Sequence, residues 1–363
     1  MTAAFRPILL TLLAAAAAAW VALRVGAPIP WLLGPLLLTA AASIRGLPVR
    51  SSLPLRNLGQ WTIGAALGLY FTAEVGQMLL GLWWAVLLGV VWALWLGGRF
   101  GLWLEQRHAQ DLAPLNPRAR LATAWLASAI GGASEMTLLS ERERARTDLV
   151  AAAHSLRLLI VVMTIPLGVQ IVQSVWGLQV DPSLRQAAPR PMDWGAFAIL
   201  LGGTLAGVGL MRAARGANPW FMGALLASIA MTWTGVPNMQ MPGWMSNLAQ
   251  LLVGVSLGVR FTPAFLRTAP RWMASVAIGT VAMLLASIAF AGLLAWGTGL
   301  HMATMLLGTT PGGITEMSVT AKVLGLGAPV VTAMQVSRLV AVLVLSRPLM
   351  DVVMRRRERR AAR

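Results

Sequence analysis

What constrains this chain most is a series of apolar stretches that approach or reach the length of a bilayer's hydrocarbon core. They fall near 5–23, 29–44, 57–73, 76–98, 121–139, 149–174, 194–211, 219–235, 244–260, 273–297, 302–320 and 328–350. About 20 apolar residues cross that core as a helix. A polytopic all-α membrane protein is therefore expected. The charge content agrees: 11% of the 363 residues are charged, against about 25% in a soluble globular domain.

The arginines set the expected topology. Of 29 basic residues, 28 are Arg and one is Lys322, and seven Arg fall within the last seventeen residues, RPLMDVVMRRRERRAAR. A basic cluster after a terminal span is a cytoplasmic anchor, because positive loops stay inside. Counting back through twelve full crossings would strand Arg260, Arg267 and Arg271 outside. If 121–139 and 302–320 dip in and return on one face, the conflict disappears. Arg45, Arg50, Arg56, Arg99, Arg107, Arg118, Arg120, Arg142, Arg144, Arg146, Arg212, Arg215, Arg260, Arg267 and Arg271 then lie inside, with Arg24, Arg185, Arg190, Lys322 and the charge-free stretch 235–243 outside. The expectation is ten spans plus two re-entrant segments, with both termini in the cytoplasm. The stretch 5–23 resembles a signal peptide. Its counterpart 194–211 sits mid-chain, so 5–23 reads as a retained span.

The chain also repeats itself. Pro30, Trp31 and Gly34 recur as Pro219, Trp220 and Gly223. Asn57, Leu58, Gln60, Gly64, Leu67, Gly68, Phe71 and Thr72 recur 190 residues later as Asn247, Leu248, Gln250, Gly254, Leu257, Gly258, Phe261 and Thr262. GGASEM at 131–136 recurs as GGITEM at 312–317, and Arg157 recurs as Arg338, both at an offset of 181. Residues 1–180 and 181–351 thus form two membrane repeats, followed by a basic tail at 352–363. Five crossings per repeat make the second inverted, which brings the two re-entrant segments together from opposite faces.

The chemistry is expected at those segments. Gly131-Gly132 and Gly312-Gly313 break a membrane helix and free backbone groups that must line protein or water. Ser134 and Thr315 suit the N-cap of the helix that resumes, and Glu135 and Glu316 then lie in its first turn, where the helix dipole favours negative charge. A carboxyl at such depth is a candidate proton or cation site. Arg157 and Arg338 are too deep to snorkel easily and need partners. Glu135 and Glu316 are the obvious ones, and an anionic substrate is the functional alternative. Gln60 and Gln250 are expected mainly as helix–helix glue.

Other classes find no footing. With no cysteine there is no disulfide or thiolate site, and the three histidines, His108, His154 and His301, are scattered. No Walker loop, dinucleotide fingerprint or nucleic-acid motif is present. The expectation is a protein that is no enzyme, carries no cofactor or metal and contacts no nucleic acid. Its partners would be the bilayer, a small-molecule or ion substrate and, allowed by the sequence, a second copy as a homodimer.

The paired GGASEM and PGGITEM turns, with PWLLGPLL and NPWFMGALL opening the repeats, resemble the AbrB family of bacterial integral membrane proteins over nearly the whole chain. That resemblance implies a multi-pass protein of the bacterial inner membrane. Family members carry the labels ammonia monooxygenase and regulator of gene expression, and the resemblance hands over no substrate or catalytic residues. The expected function is a proton- or sodium-coupled secondary transporter of a small anionic or zwitterionic metabolite. The alternative is regulation of gene expression through a partner docked on the basic tail or on ERERAR at 141–146.

Overall fold

A computed structural model describes residues 2–176, 193–235, 239–263 and 269–361, which are helical with no strand among them. Arg185, Arg190, Arg267, residues 236–238 of the charge-free stretch, the boundary at 180/181 and the last two tail residues lie outside the described residues. The helices are α1 (Thr2–Arg24), α2 (Pro30–Ile44), α3 (Leu53–Gly68), α4 (Ala73–Gly81), α5 (Trp83–Arg107), α6 (Pro117–Ser128), α7 (Ala133–Arg142) and α8 (Thr147–Trp176). The second repeat gives α9 (Trp194–Ala213), α10 (Pro219–Trp233), α11 (Gly243–Gly258), α12 (Pro270–Thr298), α13 (Met302–Thr309), α14 (Ile314–Val323) and α15 (Ala328–Ala361).

Among the described residues, α1, α5, α8, α9, α12 and α15 are long and apolar enough to cross a membrane. α3 and α4 together pass the same test but bend by 84° at their junction, and α2 and α10 are apolar but shorter. The stretch expected as one span at 76–98 is divided. α4 ends at Gly81 and α5 starts at Trp83. α4 itself starts at polar punctuation: Thr72 Oγ1 accepts from Val75 N at 3.4 Å, and Glu74 lies in the first turn. Elsewhere the starts are legible. Pro30, Pro219 and Pro270 open helices, where a missing N–H costs nothing. The Asn116 side chain caps Ala119 N at 2.8 Å.

The chain divides into two compact units. The first comprises 1–81, 163–266 and 315–332; the second comprises 82–162, 267–314 and 333–363. Each unit therefore draws segments from both repeats.

In the first unit α1 packs on α2, α9 on α10, α2 on α11 and α10 on α3, while α3 packs on α11. A Cβ placed on Gly64 would meet Phe221 O, and one on Gly254 would meet Leu32 O at 2.6 Å. Gly254 is the repeat equivalent of Gly64, and Phe221 of Leu32. The contact α3–α10 is thus the contact α11–α2 with the halves exchanged. Gly34 against Ala18 O and Gly223 against Gly207 O repeat the pattern in α2–α1 and α10–α9. Lipid-surrounded helices gain little from hydrophobicity, so glycine-enabled backbone approach supplies their association.

In the second unit α5 packs on α6, α12 and α13, around a core that includes Phe100, Leu104, Leu121, Trp125 and Trp272. Trp272 Nε1 donates to Leu149 O at 3.3 Å. At one end an ionic network ties α15 down. Arg357 grips Glu105 with two 2.8 Å bonds, and Arg118 holds Glu143 at 2.7 Å and Asp351 at 3.0 Å. The expected tail is consequently no separate arm, because α15 runs unbroken from 328 to 361.

Candidate functional site

Both segments expected as re-entrant are broken where the glycine pairs predict. α6 ends because Ala129 leaves helical geometry (φ −54°, ψ 134°), and α13 ends because Thr310 does the same (φ −60°, ψ 140°). Each end frees carbonyls inside the protein, and an arginine from the following long helix satisfies them. Arg157, on α8, donates to Ala127 O at 3.3 Å, Ser128 O at 3.1 Å and Ala129 O at 2.8 Å. Arg338, on α15, donates to Thr310 O at 2.6 Å and Gly312 O at 2.8 Å. Thr310 is the repeat equivalent of Ala129.

A second polar residue completes each clamp. His154 Nε2 lies 2.9 Å from Leu126 O, and its Nδ1 lies 2.8 Å from Arg157. A carbonyl only accepts and a guanidinium only donates. The network therefore assigns the neutral ring with the proton on Nε2. Gln335 repeats both bonds, donating from Nε2 to Leu307 O at 2.6 Å and accepting from Arg338 at 2.5 Å. Histidine and glutamine thus perform one task at equivalent positions. In the sequence His154 stands only as one of three scattered histidines. The signal was present as H-x-x-R at 154–157 and Q-x-x-R at 335–338, which places both side chains one turn apart on a helix.

These clamps correct two expectations. The guanidiniums hold carbonyls and a neighbouring polar side chain in place of the expected ion pairs with Glu135 and Glu316. A helix C-terminus carries partial negative charge, which is why a buried cation is stable there. Ser134 and Thr315 are also not the caps. Gly132 is the N-cap of α7, with no side-chain cap bond, so Ser134 falls two positions too late and lies exposed. α14 begins at Ile314, and Thr315 is likewise its second residue.

Glu135 is therefore the third residue of α7, the position from which a glutamate reaches back toward the cap. Its Oε2 occupies the space that a Cβ on Gly132 would need. Gly131 faces the buried Met136 and Val342 in the same way. The two glycines thus make room for the motif's own Glu and Met. The second unit holds Gly131, Gly132, Ser134, Glu135, Arg157, Gly312, Gly313 and Arg338; the first holds Thr315, Glu316, Gln60 and Gln250. The two carboxyls differ: Glu135 is half-buried, while Glu316 is 6% exposed. Gln60 and Gln250 are buried on α3 and α11, helices that meet where Gly59 abuts Ala249 O.

Two further polar groupings appear. In the first unit Lys322 Nζ donates to Ser246 Oγ at 3.1 Å and lies 5.6 Å from the Tyr70 ring centroid. In the second, His108 sits between Asp111 and Ser275, 2.9 Å from each. That order resembles a hydrolytic triad. Ser275, however, sits in the second turn of α12, where backbone N–H groups are engaged in the helix and offer no oxyanion donor. The grouping instead ties the C-terminus of α5 to α12. Among the described residues, no cluster of three histidine or acidic side chains has metal-binding geometry.

Comparison with known proteins gives a matching picture. The chain is similar to a protein of Bacillus subtilis (strain 168) described as "Uncharacterized protein YhjN", 25% identical over 242 residues. That match covers 62% of this chain and 62% of that protein's length. No solved structure matches. A family model described as "Transition state regulatory protein AbrB" matches residues 31–354, which takes in both broken segments and both arginine clamps. The chain belongs to the AbrB family.

Proposed function

We propose that this protein is a secondary transporter of a small anionic or zwitterionic metabolite, coupled to protons or sodium. The observation that carries the reading is the twice-built break: a helix interrupted at Gly-Gly, an arginine clamp on the freed carbonyls, and a glutamate three residues beyond the cap. Broken helices at mid-membrane are where transporters of inverted-repeat type bind substrate and coupling ion. In this reading the chain has ten spans, two re-entrant segments, inverted halves and cytoplasmic termini, and resides in a bacterial inner membrane. Because the clamps already use Arg157 and Arg338, substrate contact falls to a helix N-terminus such as that of α7. Glu135 and Glu316 carry the coupling ion.

Substrate candidates are found by thermal shift on the purified protein across carboxylates, amino acids and amines, with and without sodium. Saturation at a hundredfold excess over Kd adds about 2.7 kcal/mol. Uptake or efflux of the hit is then measured in vesicles. Glu316→Gln is expected to abolish coupled flux while leaving the fold intact. Full coupled transport by both Glu135→Gln and Glu316→Gln would sink the assignment. The regulator in the family's description supports a second reading, in which α15's basic end docks a partner. Truncation after residue 351 would then abolish regulation and spare transport.

A further inference from the structure

The ionic end of the second unit encloses a cleft of about 640 Å³ lined by Arg118, Arg142, Glu143, Arg144, Arg347, Asp351, Arg355 and Glu358 among others. Its acidic floor is already neutralised. Glu143 is buried between Arg118 at 2.7 Å and Arg347 at 3.1 Å, and Arg118 also holds Asp351. The bond to Glu143 strengthens the basicity of Arg118. Arg142, Arg144 and Arg355 line the same cleft, are exposed, and take part in none of these ion pairs. Arg144 takes the left-handed conformation (φ 54°) that closes α7, with Ala145 N donating to Ser140 O at 2.9 Å.

A second feature adjoins. On α15, Val340, Val344 and Arg347 share one face at spacings of four and three. Val340 and Val344 are 49% and 63% exposed, and Leu345 beside them is 39% exposed. An apolar track thus runs along the helix and ends at the arginine cleft. Free phosphate would use the arginines and leave the track bare. A phospholipid uses both.

We propose that this cleft seats the phosphate of an anionic phospholipid whose acyl chain lies along Val340, Val344 and Leu345. Arg142, Arg144 and Arg355 take the headgroup charge, while Arg118 and Arg347 frame the cleft from their bonds to Glu143. Glu358 is the one carboxylate of the cleft outside these ion pairs, and its charge opposes the ligand.

The test uses the full chain purified in mild detergent. It is titrated with short-chain phosphatidylglycerol, with phosphatidylcholine of the same chain length, and with glycerol phosphate, reading melting temperature and bound lipid by native mass spectrometry. Phosphatidylglycerol alone should bind and raise the melting temperature. Substituting Arg142, Arg144 and Arg355 together by Gln should weaken it by roughly fivefold per arginine, about a hundredfold in all. Glu358→Gln should tighten it by a similar single step, which keeps the test alive if the triple variant folds poorly. Equal binding of phosphatidylcholine would reduce the site to an apolar track, and equal binding of glycerol phosphate would make it a site for a soluble anion. Either result overturns the proposal, as does a Glu358→Gln protein with unchanged affinity.

Discussion

At the residue scale, the decisive groups are Arg157 and Arg338, each 4% exposed and each aimed at main-chain carbonyls. Leaving such a buried group without its partner costs about 1–3 kcal/mol, more when charge is involved. Arg157→Met uncovers the carbonyls of Ala127, Ser128 and Ala129, and His154 loses its donor. A loss of about 3–5 kcal/mol is expected in detergent unfolding. His154→Gln should be nearly silent, within about 1 kcal/mol, because Gln335 makes the same bonds in the other repeat. His154→Ala should cost about 1–3 kcal/mol. If Gln proves as damaging as Ala, the histidine has a task beyond the clamp. This pairing shows how far the residues were legible. The glycine pairs, the arginines and their shared offset were all visible, yet Glu seemed the natural partner of Arg. A sequence displays side-chain charges and hides backbone ones, and here the carbonyls of Leu126, Ala127, Ser128, Ala129, Leu307, Thr310 and Gly312 stood where no letter marks them.

At the scale of elements, the glycines of α3 and α11 decide the packing. Gly64→Ala and Gly254→Ala each drive a Cβ against a carbonyl oxygen of the neighbouring helix, which only helix separation relieves. Each should cost about 1–3 kcal/mol, and the two costs should agree because the contacts are repeat equivalents. A clear disparity in their melting shifts would argue against that equivalence. α15 offers a different prediction. Its basic end is held by Arg357 on the buried Glu105. Glu105→Gln should release residues 352–361, read as faster backbone hydrogen exchange there with α5 unchanged. Unchanged exchange would mean that the helix end stands without the latch. The bend between α3 and α4 shows what apolarity alone misreads. Hydropathy joins α3 and α4 into one candidate span, but Thr72 and Glu74 start a short helix that leaves α3 at 84°.

For the molecule as a whole, the repeat predicts topology. Inverted halves place equivalent residues on opposite faces of the membrane. On the proposed inversion Arg142 and Val323 are such a pair, at the ends of α7 and α14, and both are exposed. The chain contains no cysteine, so Arg142→Cys and Val323→Cys each give a single label site. An impermeant thiol reagent applied to intact cells should modify the cysteine at 323 and spare the one at 142. Modification of both, or of neither, would refute the inversion.

The helical class, the length of most helices, the duplication and the position of both breaks were legible in the residues alone. Each of these follows from local properties: apolar run length, proline and glycine placement, and residue identity at a fixed offset. Tertiary structure decided the rest. It joined segments of both repeats into each compact unit, turned the arginines toward carbonyls instead of carboxylates, and gave Glu135 and Glu316 unequal burial. Those outcomes depend on which backbone surfaces approach one another. Glycine permits such an approach wherever it occurs, and only the folded chain selects which glycine meets which helix.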